Sequence, residues 1–253
     1  MTLSKKQLLS LFIFGAAILM SSSHAAAQAP DNAQLSVHYK FTWVRDTSNR
    51  ARPYMENLVL LVGKQAAVYK SGEEHRSAAE YYQYPHEKTM LRKEKILMSE
   101  FLIKDLLPAI SWKITSDTAS FGGFHCQKAT AHFKGRDYTA WFCAALPLHA
   151  GPWKLNGLPG VIVQASDSKN EVCFYFNGIE KLATPAIIEV PSDGKPTTEK
   201  EFTRLQETFR KDPEAFLRMI AAQGDGSGRQ MKIDMKPGPG PVINNPIELP
   251  EKN

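Results

Sequence analysis

The chain has 253 residues, of which 43% are hydrophobic, 23% charged and 10% aromatic, with 16 Gly and 16 Pro. That profile excludes a disordered chain and a fibrous one, and it is long enough for one domain or two small ones. A net charge of +5 does not make a nucleic-acid binder here. The densest basic run, Lys88, Arg92, Lys93 and Lys95, is interrupted by Glu87 and Glu94 and reads as a solvated face.

The first segment has the three parts of an export signal. Lys5 and Lys6 supply positive charge, Leu8 to Met20 form an apolar run of 13 residues, and Ala25, Ala27 and Ala29 offer an A-x-A cleavage site. The run is shorter than the roughly 18 residues of a membrane anchor, so the expectation is cleavage and a mature chain without a transmembrane segment. No cysteine follows the run to carry a lipid. Loss of Lys5 and Lys6 lowers the net charge from +5 to +3.

Leu35, Val37, Tyr39, Phe41 and Trp43 then alternate with Ser36, His38, Lys40 and Thr42. A period of two places one face of a strand on a core and the other toward water. Residues 57–62 and 65–70, split by Gly63-Lys64, predict a hairpin. Residues 71–89 are polar and read as a loop or short helix, with a Tyr81-Tyr82-Gln83-Tyr84 cluster. Strands are expected over 96–103, 110–116, 123–133, 138–146, 160–166 and 171–180, with turns between them and no helix. That order predicts an antiparallel meander.

Helix comes late in the chain. Thr198 and Glu201 have capping-box spacing, followed by Phe202, Leu205 and Phe209 at helical intervals. Asp212-Pro213 starts a second helix carrying Phe216, Leu217 and Ile220, which Gly224 stops. Residues 224–241 are dense in Gly and Pro and read as a mobile linker. The closing Asn245-Pro246-Ile247-Glu248-Leu249 either docks on the body or stays loose.

Gly151-Pro152-Trp153-Lys154-Leu155-Asn156-Gly157-Leu158-Pro159-Gly160-Val161-Ile162 resembles the defining segment of the GLPGLI family, exported proteins of Bacteroidota. Cys126 to Thr130 and Gly135 to Phe142 resemble that family's preceding hairpin, and residues 245–249 its closing pattern. The likeness spans roughly residues 33–180 and that tail. Val161 stands where the family name has Leu. The resemblance implies export and a β-rich body, and no activity. Read physically, Pro159 and Gly160 sit at the second and third positions of a type II turn, and Gly157 permits a close backbone approach.

The residues do not spell out a reaction. Cys126 and Cys143 fall opposite or diagonally across a predicted hairpin, so they form either a disulfide or two buried thiols, depending on register. Cys173 has no evident partner. His125 and Cys126 are adjacent in a strand and point to opposite faces, and His132 and His149 follow no metal-ligand spacing. No metal or cofactor is expected. No nucleophile elbow, P-loop or converging carboxylate pair is evident. Trp43, Trp112, Trp141 and Trp153 either line a concave face for a lipid, glycan or peptide or fill the core.

The expected fold is mainly β with a C-terminal helical segment, as a curved antiparallel sheet or a partly open barrel-like meander. Residues 1–27 are read as a signal peptide, 28–223 as a β-rich domain ending in helices, and 224–253 as a flexible tail. The expected role is a periplasmic or extracellular, non-catalytic binding or assembly module of the cell envelope. Its expected partner is an envelope protein, lipid or glycan, and Trp141, Trp153, Leu158 and Pro159 are the candidate surface. The alternative is a hydrolase-type enzyme assembled from dispersed polar residues.

Overall fold

The structure, a computed structural model, describes residues 30–73, 79–146, 148–223 and 242–251. The expected signal peptide and the expected linker at 224–241 lie outside the described residues, as do the side chains of Leu217 and Ile220. Twelve strands form one sheet in the order β12-β6-β5-β4-β3-β2-β1-β11-β10-β9-β8-β7, and its two edges do not meet to close a barrel.

The centre of the sheet is β1 (Asp31–Trp43), flanked by β2 (Tyr54–Val62) and β11 (Val172–Ile188). The alternation read in β1 holds on its apolar face, where Val37, Tyr39 and Phe41 are buried; on the other face Lys40 is exposed and His38 and Thr42 are half-buried, but Ser36 is buried. On one side follow β3 (Ala67–Ser71), β4 (Glu80–Tyr84), β5 (Thr89–Ile96) and β6 (Ser99–Leu106). On the other come β10 (Val161–Asp167), β9 (Arg136–Cys143), β8 (Phe124–Phe133) and the edge strand β7 (Lys113–Phe121). These neighbours are all antiparallel.

Two local expectations are corrected. The tyrosine cluster at 81–84 is strand β4, not loop or helix, because it finds a partner on each side: Tyr69 opposes Tyr81, and Tyr81 opposes Arg92. Aromatic residues suit such a pleated, buried setting. The single strand expected over 96–103 is instead a hairpin that turns at Leu97-Met98. Leu97 takes a φ of 56°, without the Gly, Asn or Pro that would mark a turn.

The chain also adds an unforeseen edge. After β11 it reaches β12 (Lys195–Thr197), which pairs parallel to β6. On the way the Asp193 carboxylate accepts from Lys93 Nζ at 2.7 Å. Helix α1 (Glu199–Lys211) then packs on β6, and α2 (Pro213–Gln223) packs on α1. Thr198 caps α1 by accepting from the Glu201 amide, and Asp212 accepts from the Ala215 amide. Phe202 and Phe216 bury their rings against Ile96, Phe101 and Ile103. None of the described helices is long and apolar enough to cross a membrane.

The main core lies between β1–β3 and β8–β11, and the loop from β9 to β10 fills it. Trp153, Leu155 and Leu158 are buried in that loop. Gln83, with no exposed surface, clamps the loop: its Nε2 donates to the Gly151 and Trp153 carbonyls, each at 2.8 Å. Its Oε1 accepts from the Gly151 amide at 3.2 Å. The type II turn is corrected to a tighter one. Gly160 N–H donates back to the Leu158 carbonyl at 2.8 Å, while Val161 N–H goes to Leu146. Close approach belongs to Gly160, where a Cβ would sit 2.3 Å from the Cys143 carbonyl oxygen; around Gly157, whose φ is +87°, there is open space.

Candidate functional site

The main polar cluster in the body forms at the end of β9. Arg136 opens that strand after a Lys134-Gly135 turn, and its side chain is only 2% exposed. A guanidinium so buried demands partners on every face. Nη1 meets Asp167 Oδ2 at 2.6 Å and Glu171 Oε2 at 3.3 Å. Asp167 ends β10, and its other oxygen accepts from the Glu171 and Val172 amides at 2.6 and 3.1 Å. Glu171 Oε1 accepts from Arg50 at 2.7 Å.

The remaining donors of Arg136 hold the closing segment. Nη2 donates to Asn245 Oδ1 and to the Pro246 carbonyl, both at 2.7 Å, and Nε donates to the Ile247 carbonyl at 2.8 Å. Asn245 is satisfied at every polar atom. Its Nδ2 donates to Val44 O at 2.7 Å and Glu171 Oε2 at 3.0 Å. Its amide donates to Arg45 O at 3.1 Å, and its carbonyl accepts from Trp43 Nε1 at 2.8 Å. Ile247 packs against the main core.

A basic rim completes the slot. Glu248 accepts from Lys154 Nζ and lies 3.2 Å from Lys134 Nζ. Leu249 N–H donates to Lys134 O at 3.0 Å, and Glu251 accepts from the Gly135 amide at 3.1 Å. His132 bridges Asp137 at 2.6 Å and Glu251 at 2.9 Å. Gly135 is required: any Cβ there would lie 2.7 Å from Leu249 Cβ and 2.8 Å from its carbonyl. Of the two outcomes left open for residues 245–249, docking is the one found.

Charge balance follows from this packing. Burial pushes the Glu171 pKa up, but hydrogen bonds from Arg50, Arg136 and Asn245 outweigh it and hold the carboxylate below its ordinary range. Burial acts likewise on Glu248, and Lys154 and Lys134 overcome it. On the exposed rim, hydrogen bonds from Asp137 and Glu251 raise the His132 pKa.

The four candidate surface residues do not share an exposed patch. Trp153 and Leu158 are buried at 5% and 1% exposure, Trp141 is half-buried and Pro159 is exposed. Trp153 instead packs on Phe133 with ring centroids 5.8 Å apart, and Trp141 leans on Phe121. Cys126 and Cys143 lie on the adjoining strands β8 and β9 and form a disulfide; Cys173 is a buried free thiol. Among the described residues no group of three or more His, Cys, Asp or Glu is placed to hold a metal.

The polar groups around Arg136 are engaged with one another, and main-chain carbonyls are read by fixed N–H donors. The sequence places Arg136 in a hairpin and does not mark Asp167, Glu171 and Asn245 as its partners. The available signal was Asn245-Pro246, an exposed-type dipeptide inside a motif.

No protein-family model matches the chain, and no curated protein does. Among solved structures it is similar to PNGF-II in space group P21, with a TM-score of 0.53 and 10% identity over 69% of this chain. The C2 form of PNGF-II gives a TM-score of 0.49 at 11% identity over 67% of this chain. The chain spans 32% of the PNGF-II chain in each case. The likeness to the P21 form is one of fold alone.

Proposed function

We propose that the protein is an exported, GLPGLI-like binding or assembly module of the cell envelope that works by holding a protein segment through its main chain. The observation that carries this reading is Asn245, seated with all its polar atoms paired and three successive main-chain carbonyls, of residues 245–247, held by Trp43 and Arg136. Main-chain capture with one selective side chain is how folded domains hold peptides.

Export is supported by the leader-like first segment and by the Cys126–Cys143 disulfide, which suits an oxidising compartment. The segments shared with the GLPGLI pattern each serve the architecture. The loop at 151–160 fills the core, and residues 245–249 fill the slot.

The test uses the full chain with Asn245→Ala, which weakens its own segment, and a fluorescent peptide of residues 242–251. Saturable binding, lost when the peptide carries the same change, is expected. Absence of saturable binding overturns the reading.

A further inference from the structure

We infer that the slot also takes the 242–251 segment of a second copy of this chain, giving a reciprocally exchanged dimer. This rests on the peptide-holding reading above. The bonds that seat the segment come from residues 244–251 and include those to Trp43, Val44, Lys134, Arg136, Lys154 and Glu171 of the body. Residues 224–241 join it to α2 in sequence. A stretch of 18 residues spans at most ~60 Å.

The segment is not a strand, and the twelve-stranded sheet precedes it. Exchange therefore opens no ladder. Every bond given up in one body is remade identically in the other, so the two arrangements differ only through tethering. Tethering favours the copy's own slot in dilute solution, and the advantage ends as protein concentration nears the effective concentration of the tethered segment, about millimolar. Exchange of one identical element is a low-cost route to a closed dimer. Charge directs the encounter: the rim presents Lys134, Lys154 and His132, and the segment brings Glu248 and Glu251.

Two rim variants test this. K154E and E248K each place like charges together within one chain. Mixing them restores an opposite-charge pair between positions 154 and 248 in each body. The E248K body keeps Lys154 for the Glu248 of the other copy, and the lysine introduced by E248K meets the glutamate introduced by K154E. Each variant alone should sediment as a monomer, and the equimolar mixture at twice that mass.

A mixture that stays monomeric, while a labelled 242–251 peptide binds E248K, overturns the inference and leaves the proposed function standing. A peptide that fails to bind E248K removes both. The native chain supplies a readout independent of these changes. Nitrogen-14 and nitrogen-15 forms mixed at about millimolar concentration, where tethering no longer favours the copy's own slot, should yield a dimer of intermediate mass in native mass spectrometry, absent when both carry Asn245→Ala. Recovery of monomers only overturns the inference.

Discussion

Arg136 Nη1 and Asp167 Oδ2 lie 2.6 Å apart, and both side chains are 2% exposed. The pair joins β9 to the end of β10, and the same guanidinium reaches residues 245–247 of the closing segment. Replacing it strips Asp167 of its paired cation. Arg136→Met should therefore cost about 3–5 kcal/mol, the range for breaking a buried ion pair. Urea unfolding measures this directly. Arg136→Lys should recover only part of the loss, since an ammonium cannot span the same fork.

Asn245→Asp is a sharper probe than alanine. The change removes the donor to Val44 O and sets a second carboxylate beside Glu171 Oε2, now 3.0 Å from Asn245 Nδ2. Buried like charges with a lost donor should cost about 2–4 kcal/mol of docking. Loss of protection at the Trp43 indole N–H, which bonds Asn245 O, reports it in hydrogen exchange. Retained protection would contradict the seating described.

Docking of the segment should depend on pH in two directions. Glu171, Glu248 and Glu251 have pKa values lowered from 4.5, so what they contribute is complete above that value and lost as pH falls through their folded values. His132 is raised from 6.5, so its contribution is complete below 6.5 and lost as pH rises through its folded value. Docking should be firmest between those two values. The Trp43 indole resonance followed by NMR titration should move at both ends, most strongly at the acid end where the buried Glu171 titrates.

The two glycines of the signature loop should respond unequally to alanine. At Gly160 the new Cβ would meet Cys143 backbone atoms at 2.3 and 2.6 Å, which calls for about 3 kcal/mol or more through backbone displacement. At Gly157 there is room, and only the φ of +87° opposes the change, by about 1–2 kcal/mol. Equal melting shifts would refute this assignment.

Reduction of Cys126–Cys143 should lower stability by about 3 kcal/mol, as expected for a closed loop with a sequence separation of 17. Unfolding curves with and without reductant measure the difference, and Cys126→Ala with Cys143→Ala should reproduce it.

Legibility in the sequence followed the reach of each interaction. The β1 alternation and the Thr198 cap depend on near neighbours, and both stand where the residues placed them. The turn at Leu97 carries no turn residue, and β4 became a strand only through partners on either side. The site was least legible. Asp167, Glu171 and Asn245 look like ordinary surface residues until Arg136 is folded among them, and Trp153, which the sequence leaves between core and concave face, lies inside on a loop that Gln83 clamps.

The central position of β1 has a consequence for synthesis. Leu35 pairs with Val62 on one side but with Lys181 on the other, so one flank of the first strand stays unzipped until most of the chain has emerged. A nascent chain of this design is slow to lock, because its decisive ladder is also its most distant in sequence. Threading through a narrow passage before that ladder closes would meet little resistance from a folded core.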